Sequence, residues 1–178
     1  MKNSKIKIGV LCGGLSNERE ISLRSGKAVY KALVEEGLDV CLIDIYDDIH
    51  DVIKKNRIDV AFIALHGRFG EDGTVPKIME DASIPYTGSG VDASRLALDK
   101  IASKKIFIDN GIPVPRYVVV EKGEFKREDI GSLKTPLVVK PQLEGSSIGL
   151  SIVKEDGLLA EALAKSFLYG AKALLEEY

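Results

Sequence analysis

Ile6-Lys7-Ile8-Gly9-Val10-Leu11, running on into Gly13-Gly14, is the stretch on which the fold turns. A short, mostly apolar segment that ends in paired glycines reads as a buried strand entering a tight turn. Over residues 18–36, Ile21, Leu23, Ala28, Val29, Ala32 and Leu33 recur at roughly helical spacing. Gly37 stands where a helix C-terminus favours a residue tolerant of positive φ. A second strand is expected at 40–45, a short helix at 48–55 and a third strand at 60–65. Strand and helix alternating in this way predict a parallel sheet with crossover helices. Such sheets gather ligands at the carboxyl ends of their strands, and two candidate motifs, after Leu11 and after Leu65, fall at those ends.

The character of the chain changes near residue 92. A helix is expected over 92–110, ending at Gly111, with Pro113 and Pro115 enforcing an extended exit. Strands follow at 117–120, 137–140 and 150–153, then a helix at 158–167 and a last strand at 173–175. The reading is two domains, 1–91 and 92–178.

Hydrophobic residues make up 45% of the 178 and charged residues 29%, which suits a globular chain with a real core. A net charge of -2 gives no electrostatic case for a nucleic-acid or membrane partner. No apolar run approaches the roughly 20 residues that span a bilayer. Met1-Lys2-Asn3-Ser4-Lys5 lacks the core of a signal peptide, and Cys12 and Cys41 are too few for a disulfide framework. A reduced, cytoplasmic location is the expectation, with the two cysteines as buried free thiols.

Gly13-Gly14-Leu15-Ser16-Asn17-Glu18 joins a strand to a helix without the GxGxxG dinucleotide spacing. Its glycines leave N–H groups open to an anion, while Ser16 and Glu18 could equally serve as helix caps. His66-Gly67-Arg68-Phe69-Gly70-Glu71-Asp72-Gly73-Thr74 sets ionisable groups between glycines at a strand end, and His66 is its best candidate for a site residue. Asp72 or Thr74 could cap the next helix. Lys140 ends an apolar strand, and Gln142-Leu143-Glu144-Gly145-Ser146-Ser147-Ile148-Gly149 follows as a flexible loop suited to a polyphosphate or, more simply, as a polar hairpin. Lys100, judged by its neighbours, is a solvated helix lysine.

Taken together, these segments resemble D-alanine–D-alanine ligase, an ATP-grasp family. The segments that carry the likeness are 13–23, 66–74, 85–90 leading to Asp99-Lys100, and Val139-Lys140-Pro141 through Gly149. The resemblance implies ATP and magnesium as cofactors and D-alanine as substrate, joined to a second D-alanine through an acyl phosphate for peptidoglycan precursors. It assigns Glu18 to the ammonium of the first D-alanine, His66 to that substrate's carboxylate, and Lys100 and Lys140 to ATP phosphates. Ser146 matches a flap serine that links to the glutamate, while Gly145, Ser146 and Ser147 close over the transferred phosphoryl group. Glu176 and Glu177 fall where the adenine-binding hinge begins. A homodimer is compatible with the family.

The fold expected from the resemblance is an α/β N-terminal domain followed by the first ATP-grasp subdomain, so that the chain is the N-terminal part alone. On that expectation the magnesium ligands lie beyond Tyr178 and the chain by itself is catalytically silent. A D-alanine–D-lactate or D-alanine–D-serine ligase is the alternative within the fold.

Overall fold

The computed structural model describes residues 6–46, 48–123 and 125–178, without the side chains of Arg127 and Asp129. The opening residues 1–5, read above for a leader, lie outside the described residues. The chain divides into two compact units, Met1–Arg95 and Leu96–Tyr178.

The first unit runs β1 (Lys7–Gly13), α1 (Arg19–Glu35), β2 (Asp39–Ile45), α2 (Ile49–Asn56), β3 (Val60–Ile63) and α3 (Thr74–Asp81). The strands order as β2-β1-β3, and β1 pairs parallel with both neighbours. A central parallel strand is covered on both faces and must be apolar on both. Leu11 accordingly packs with Ile43, Ile45, Ile49, Ile53, Val75 and Met79. Val10 and Cys12 belong to a second cluster with Leu23, Val29 and Leu33 of α1. A Cβ on Gly26 would lie 2.4 Å from the Cys12 Cβ, so glycine is what lets α1 settle this closely on β1. Cys12 is buried, Cys41 half-buried, and both are free thiols. Gly37 takes φ +75 just past the end of α1 and donates its N–H to the Val34 carbonyl, the backbone conformation expected of a helix-ending glycine.

α4 (Val91–Leu98) and α5 (Lys100–Asp109) replace the single helix expected over 92–110. Asp99 breaks it. Its backbone is extended, and its carboxylate accepts from the N–H groups of Ile101 (3.0 Å) and Ala102 (3.1 Å), restarting a helix. An aspartate competes for backbone donors in this way, and apolar periodicity alone does not register it.

The second unit continues with β4 (Tyr117–Glu121), β5 (Leu137–Pro141), β6 (Ser151–Val153), α6 (Leu159–Ser166) and β7 (Lys172–Glu177). Its sheet is antiparallel in the order β4-β7-β5-β6. Val120, Leu137, Val139, Val153, Ala173 and Leu175 pack with Leu159 and Leu163 of α6 in the core. Alternation places Val138, Lys140 and Glu176 on the opposite face. In register, Val138 faces Glu176 and Lys140 faces Leu174, which makes Lys140 and Glu176 diagonal neighbours. Among the described residues no helix is long and apolar enough to cross a membrane.

Candidate functional site

In the first unit the polar residues gather at the carboxyl ends of β1 and β3. The Gly13-Gly14 turn is fixed by its surroundings: Gly14 N–H donates to the Ile45 carbonyl (2.8 Å), and Arg19 donates to the Gly14 carbonyl (3.1 Å). The same guanidinium grips Asp44 through two hydrogen bonds of 2.9 and 2.7 Å. Buried Ser22 accepts from Gly13 N–H (2.9 Å) and donates to the Ala64 carbonyl (2.6 Å), tying the first loop to the end of the third strand. Ser16 Oγ adds a second tie, donating to the His66 carbonyl at 2.8 Å and accepting from Glu18 N–H at 3.2 Å.

Glu18 stands at the N-cap of α1 and is only 8% exposed, yet its carboxylate accepts no capping hydrogen bond. It lies against bare backbone: a Cβ on Gly67, which has φ +68, would come within 2.6 Å of Glu18 Oε2. Glycine at 67 thus makes room for a carboxylate. The His66 ring is held at both nitrogens, with Nδ1 3.2 Å from Glu71 Oε1 and Nε2 3.1 Å from Ser25 Oγ. A carboxylate can only accept, so Nδ1 carries a proton and the Nε2 edge faces a hydroxyl that can give or take one. Asp72 accepts from the N–H groups of Phe69 (2.8 Å) and Thr74 (2.9 Å), at the start of α3. Burial pushes its carboxyl up, but the hydrogen bonds outweigh that and hold its pKa below the ordinary value.

In the second unit a cleft of about 520 Å³ is lined by Lys100, Lys104 and Phe107 of α5, by Pro113 and Pro115, and by Lys140 and Glu176 of the sheet. Lysines and apolar side chains therefore line the same cleft. Lys100 Nζ donates to the Gln142 carbonyl (3.4 Å) and the Glu144 carbonyl, and the Gln142 amide donates to Asp99 at 2.8 Å, so the loop after β5 is bound to the start of α5. Burial first, and the Lys140 charge next, push the Lys100 pKa below its usual value. Glu176, 6% exposed, is gripped from two sides: Lys140 Nζ lies 2.7 Å from Oε2 and Lys104 Nζ 2.8 Å from Oε1. Leaving such a carboxylate without a cation costs about 3–5 kcal/mol.

Ser146 and Ser147 both take left-handed backbone, at φ +49 and +63, and both are exposed. Such a conformation costs about 1–3 kcal/mol per non-glycine residue. The loop is closed on itself by Ile148 N–H to the Gly145 carbonyl (3.0 Å) and Leu150 N–H to the Ser147 carbonyl (3.2 Å).

Glu18 and His66 thus fall in one loop cluster, while Lys100, Lys140 and Glu176 fall around one cleft. Glu177 does not join Glu176: it points away and accepts from Arg116 Nε at 2.8 Å. Lys104 went unread in the sequence, although its place four residues after Lys100 puts both on one helix face. Ser16 and Ser25 also went unread as partners of His66, since hydroxyl contacts across loops leave no spacing signature. Among the described residues no group of three or more His, Cys, Asp or Glu could hold a metal ion, and no residue of this chain is assigned to magnesium.

A family model described as D-ala D-ala ligase N-terminus matches residues 7–50 and 47–89, and one described as D-ala D-ala ligase C-terminus matches residues 106–178. A D-alanine–D-alanine ligase of Syntrophotalea carbinolica is 50% identical over 173 residues, covering 97% of this chain and 56% of that protein. The crystal structure of the Bacillus anthracis D-alanine–D-alanine ligase superposes with a TM-score of 0.88 at 34% identity, over 97% of this chain and 57% of that one. The same enzyme complexed with ATP gives a TM-score of 0.86 at 33% identity, over 97% and 58%. The chain thus spans a little over half the length of these relatives.

These matches correct two expectations. The chain is not the N-terminal part alone, because residues 106–178 match the family's C-terminal domain. The fold class changes with it. The likeness runs through both family domains of the ligase architecture, in place of a pre-ATP-grasp domain followed by a single N-terminal subdomain. The physical ground lies in the second unit, whose four-stranded antiparallel sheet and α6 close a hydrophobic core of their own.

Proposed function

We propose, from the premise that this chain belongs to the D-alanine–D-alanine ligase family, that it serves the ATP-dependent joining of two D-alanines. The product is a precursor dipeptide for peptidoglycan, and the enzyme is cytoplasmic. The observation that carries this reading is the second unit's cleft, which Lys100 and Lys140 line from separate elements together with apolar side chains. A nucleotide asks for that combination, cations for the phosphates and an apolar surface for the base. The ligase complexed with ATP, similar over 97% of this chain, supports the same reading.

In the proposed reaction the carboxylate of the first D-alanine attacks the γ-phosphate of ATP, giving an acyl phosphate and ADP. The amine of the second D-alanine then attacks the acyl carbon and phosphate leaves. Magnesium would accompany the triphosphate and offset its charge. Glu18 holds the first ammonium, since its carboxylate is buried and not spent on capping. His66, with its Nδ1–H directed to Glu71, orients the substrate carboxylate. Lys100 and Lys140 draw the phosphates, and Glu176 and Glu177 begin the adenine hinge. Gly145, Ser146 and Ser147 close over the phosphoryl group and keep water from the acyl phosphate. Phosphoryl transfer is mostly positioning and charge stabilisation, which fits a site built from lysines and a loop.

The test is phosphate release by the intact protein with ATP, magnesium and D-alanine, and chromatography of the product. Release that depends on D-alanine, with D-alanyl-D-alanine formed, is expected. ATP turnover indifferent to D-alanine would overturn the reading. D-lactate or D-serine as the preferred second substrate would move the chain to the depsipeptide or D-serine branch of the fold.

A further inference from the structure

Glu176 holds two cations where one would neutralise it. Its oxygens are divided between Lys140, whose side chain is 22% exposed, and Lys104, whose side chain is 9% exposed. Lys104 is fixed from a further side, with its ammonium 4.9 Å from the centre of the Tyr117 ring. Burying a third charge is expensive, and a lysine–glutamate pair alone would satisfy the carboxylate. The extra cation therefore calls for a role outside packing. With Glu176 and Lys140 alone, the lysine's charge is cancelled by its partner and the pair offers little to an anion. With Lys104 present the trio keeps one positive charge in excess, and Lys140 is its more exposed member.

We infer that Lys104 is a positioning residue for the phosphates of the nucleotide: by neutralising Glu176 through its other carboxylate oxygen, it leaves the charge of Lys140, the more exposed of the two lysines, free to act on an anion in the cleft. The inference rests on the nucleotide reading of that cleft. Lys104 acts through Glu176 and Lys140, and electrostatics at this range decide its effect.

The consequence is a separation between phosphate and base. In the intact protein, Lys104→Met should weaken binding of inorganic tripolyphosphate about tenfold while adenosine binding stays within about twofold, both by titration calorimetry. Lys104→Arg should hold tripolyphosphate near the wild-type value. The decisive variant is Lys104→Met with Glu176→Gln, which removes one charge of each sign and restores the excess. It should recover most of the tripolyphosphate affinity. A packing role predicts the reverse: the double variant is worse than the single one, and both probes weaken together with the melting temperature. Either that pattern or unchanged tripolyphosphate binding by Lys104→Met overturns the inference. If wild-type protein binds neither ATP nor tripolyphosphate, the nucleotide reading itself fails. If it binds both and Lys104→Met is silent, the role of Lys104 alone fails.

Discussion

The two units build polar sites by opposite means. In the first, Glu18 is a single buried carboxylate with no capping hydrogen bond, His66 meets one carboxylate, Glu71, and one hydroxyl, Ser25, and the hydroxyls of Ser16 and Ser22 tie the loops together. In the second, Lys140 and Glu176 sit in a cluster of full charges, with Lys104 as the third member and Lys100 near enough to feel Lys140. A site for a small zwitterion needs direction more than net charge, and hydroxyls and amides supply direction. A site for a triphosphate needs net positive charge held in place, so counter-ions must be rationed. The lesson is that removing one charge should act locally in the first unit and propagate through neighbouring charges in the second.

The largest expected effect tests the second half of that contrast. Lys140→Ala should weaken ATP binding by roughly 10- to 100-fold, the worth of a charge-assisted contact of about 1.5–3 kcal/mol. The fold should survive, because Glu176 keeps Lys104 at 2.8 Å. Calorimetric titration with ATP and a thermal melt read the two quantities separately. A melting temperature that collapses while affinity barely changes would place Lys140 in the architecture and not in the site.

Glu18→Gln is the smaller and more local change. The amide keeps the shape and loses the charge. Since the Glu18 carboxylate accepts no capping hydrogen bond, the melting temperature should barely move. The KM for D-alanine at the first site should rise about tenfold, the low end for a lost charged hydrogen bond. Steady-state kinetics beside a melt decide it. If stability falls and KM holds, the first unit is also governed by buried charge, and the contrast between the units disappears.

How much of this the sequence revealed also divides by unit. The parallel sheet was legible because β1 is apolar on both faces and the turns after it carry glycines, both local signals. His66 and Lys140 stood out because strand ends and glycine-rich turns mark ligand crevices, whereas Glu18 read equally as a cap and Lys100 as a solvated helix lysine until the family resemblance assigned them. The break at Asp99 was not legible, since apolar spacing runs on across it and only the capping geometry shows that the helix restarts. Lys104 was missed because a lysine in a helix reads as solvated. Its burial depends on β7, more than 60 residues away in sequence, bringing Glu176 to it. Residues 92–178 were expected to be a first ATP-grasp subdomain, whereas residues 106–178 match the family's C-terminal domain, and strand spacing along the chain does not show the order of strands in the sheet. In the fold β7 lies between β4 and β5.

The smallest effect is the one that separates the two designs most cleanly. Burial and then the Lys140 charge push the Lys100 pKa down, against the pull of Glu144, Asp99 and Glu176. A lysine depressed in the folded state holds fewer protons than the unfolded chain over the interval between its lowered pKa and about 10.4. Stability therefore rises with pH through that interval, because the unfolded state binds more protons. Relative to Lys100→Met, which has no such titration, the wild type should gain stability as pH climbs toward that limit. Denaturant melts at stepped alkaline pH measure the difference. Lys140→Met should then raise the Lys100 pKa without restoring it fully, since burial remains after the charge has gone. Titration of the labelled lysine side chain by NMR follows it directly. A Lys100 pKa that ignores Lys140→Met would mean that burial alone sets it, and that the lysines of the second unit act singly, as the residues of the first unit do.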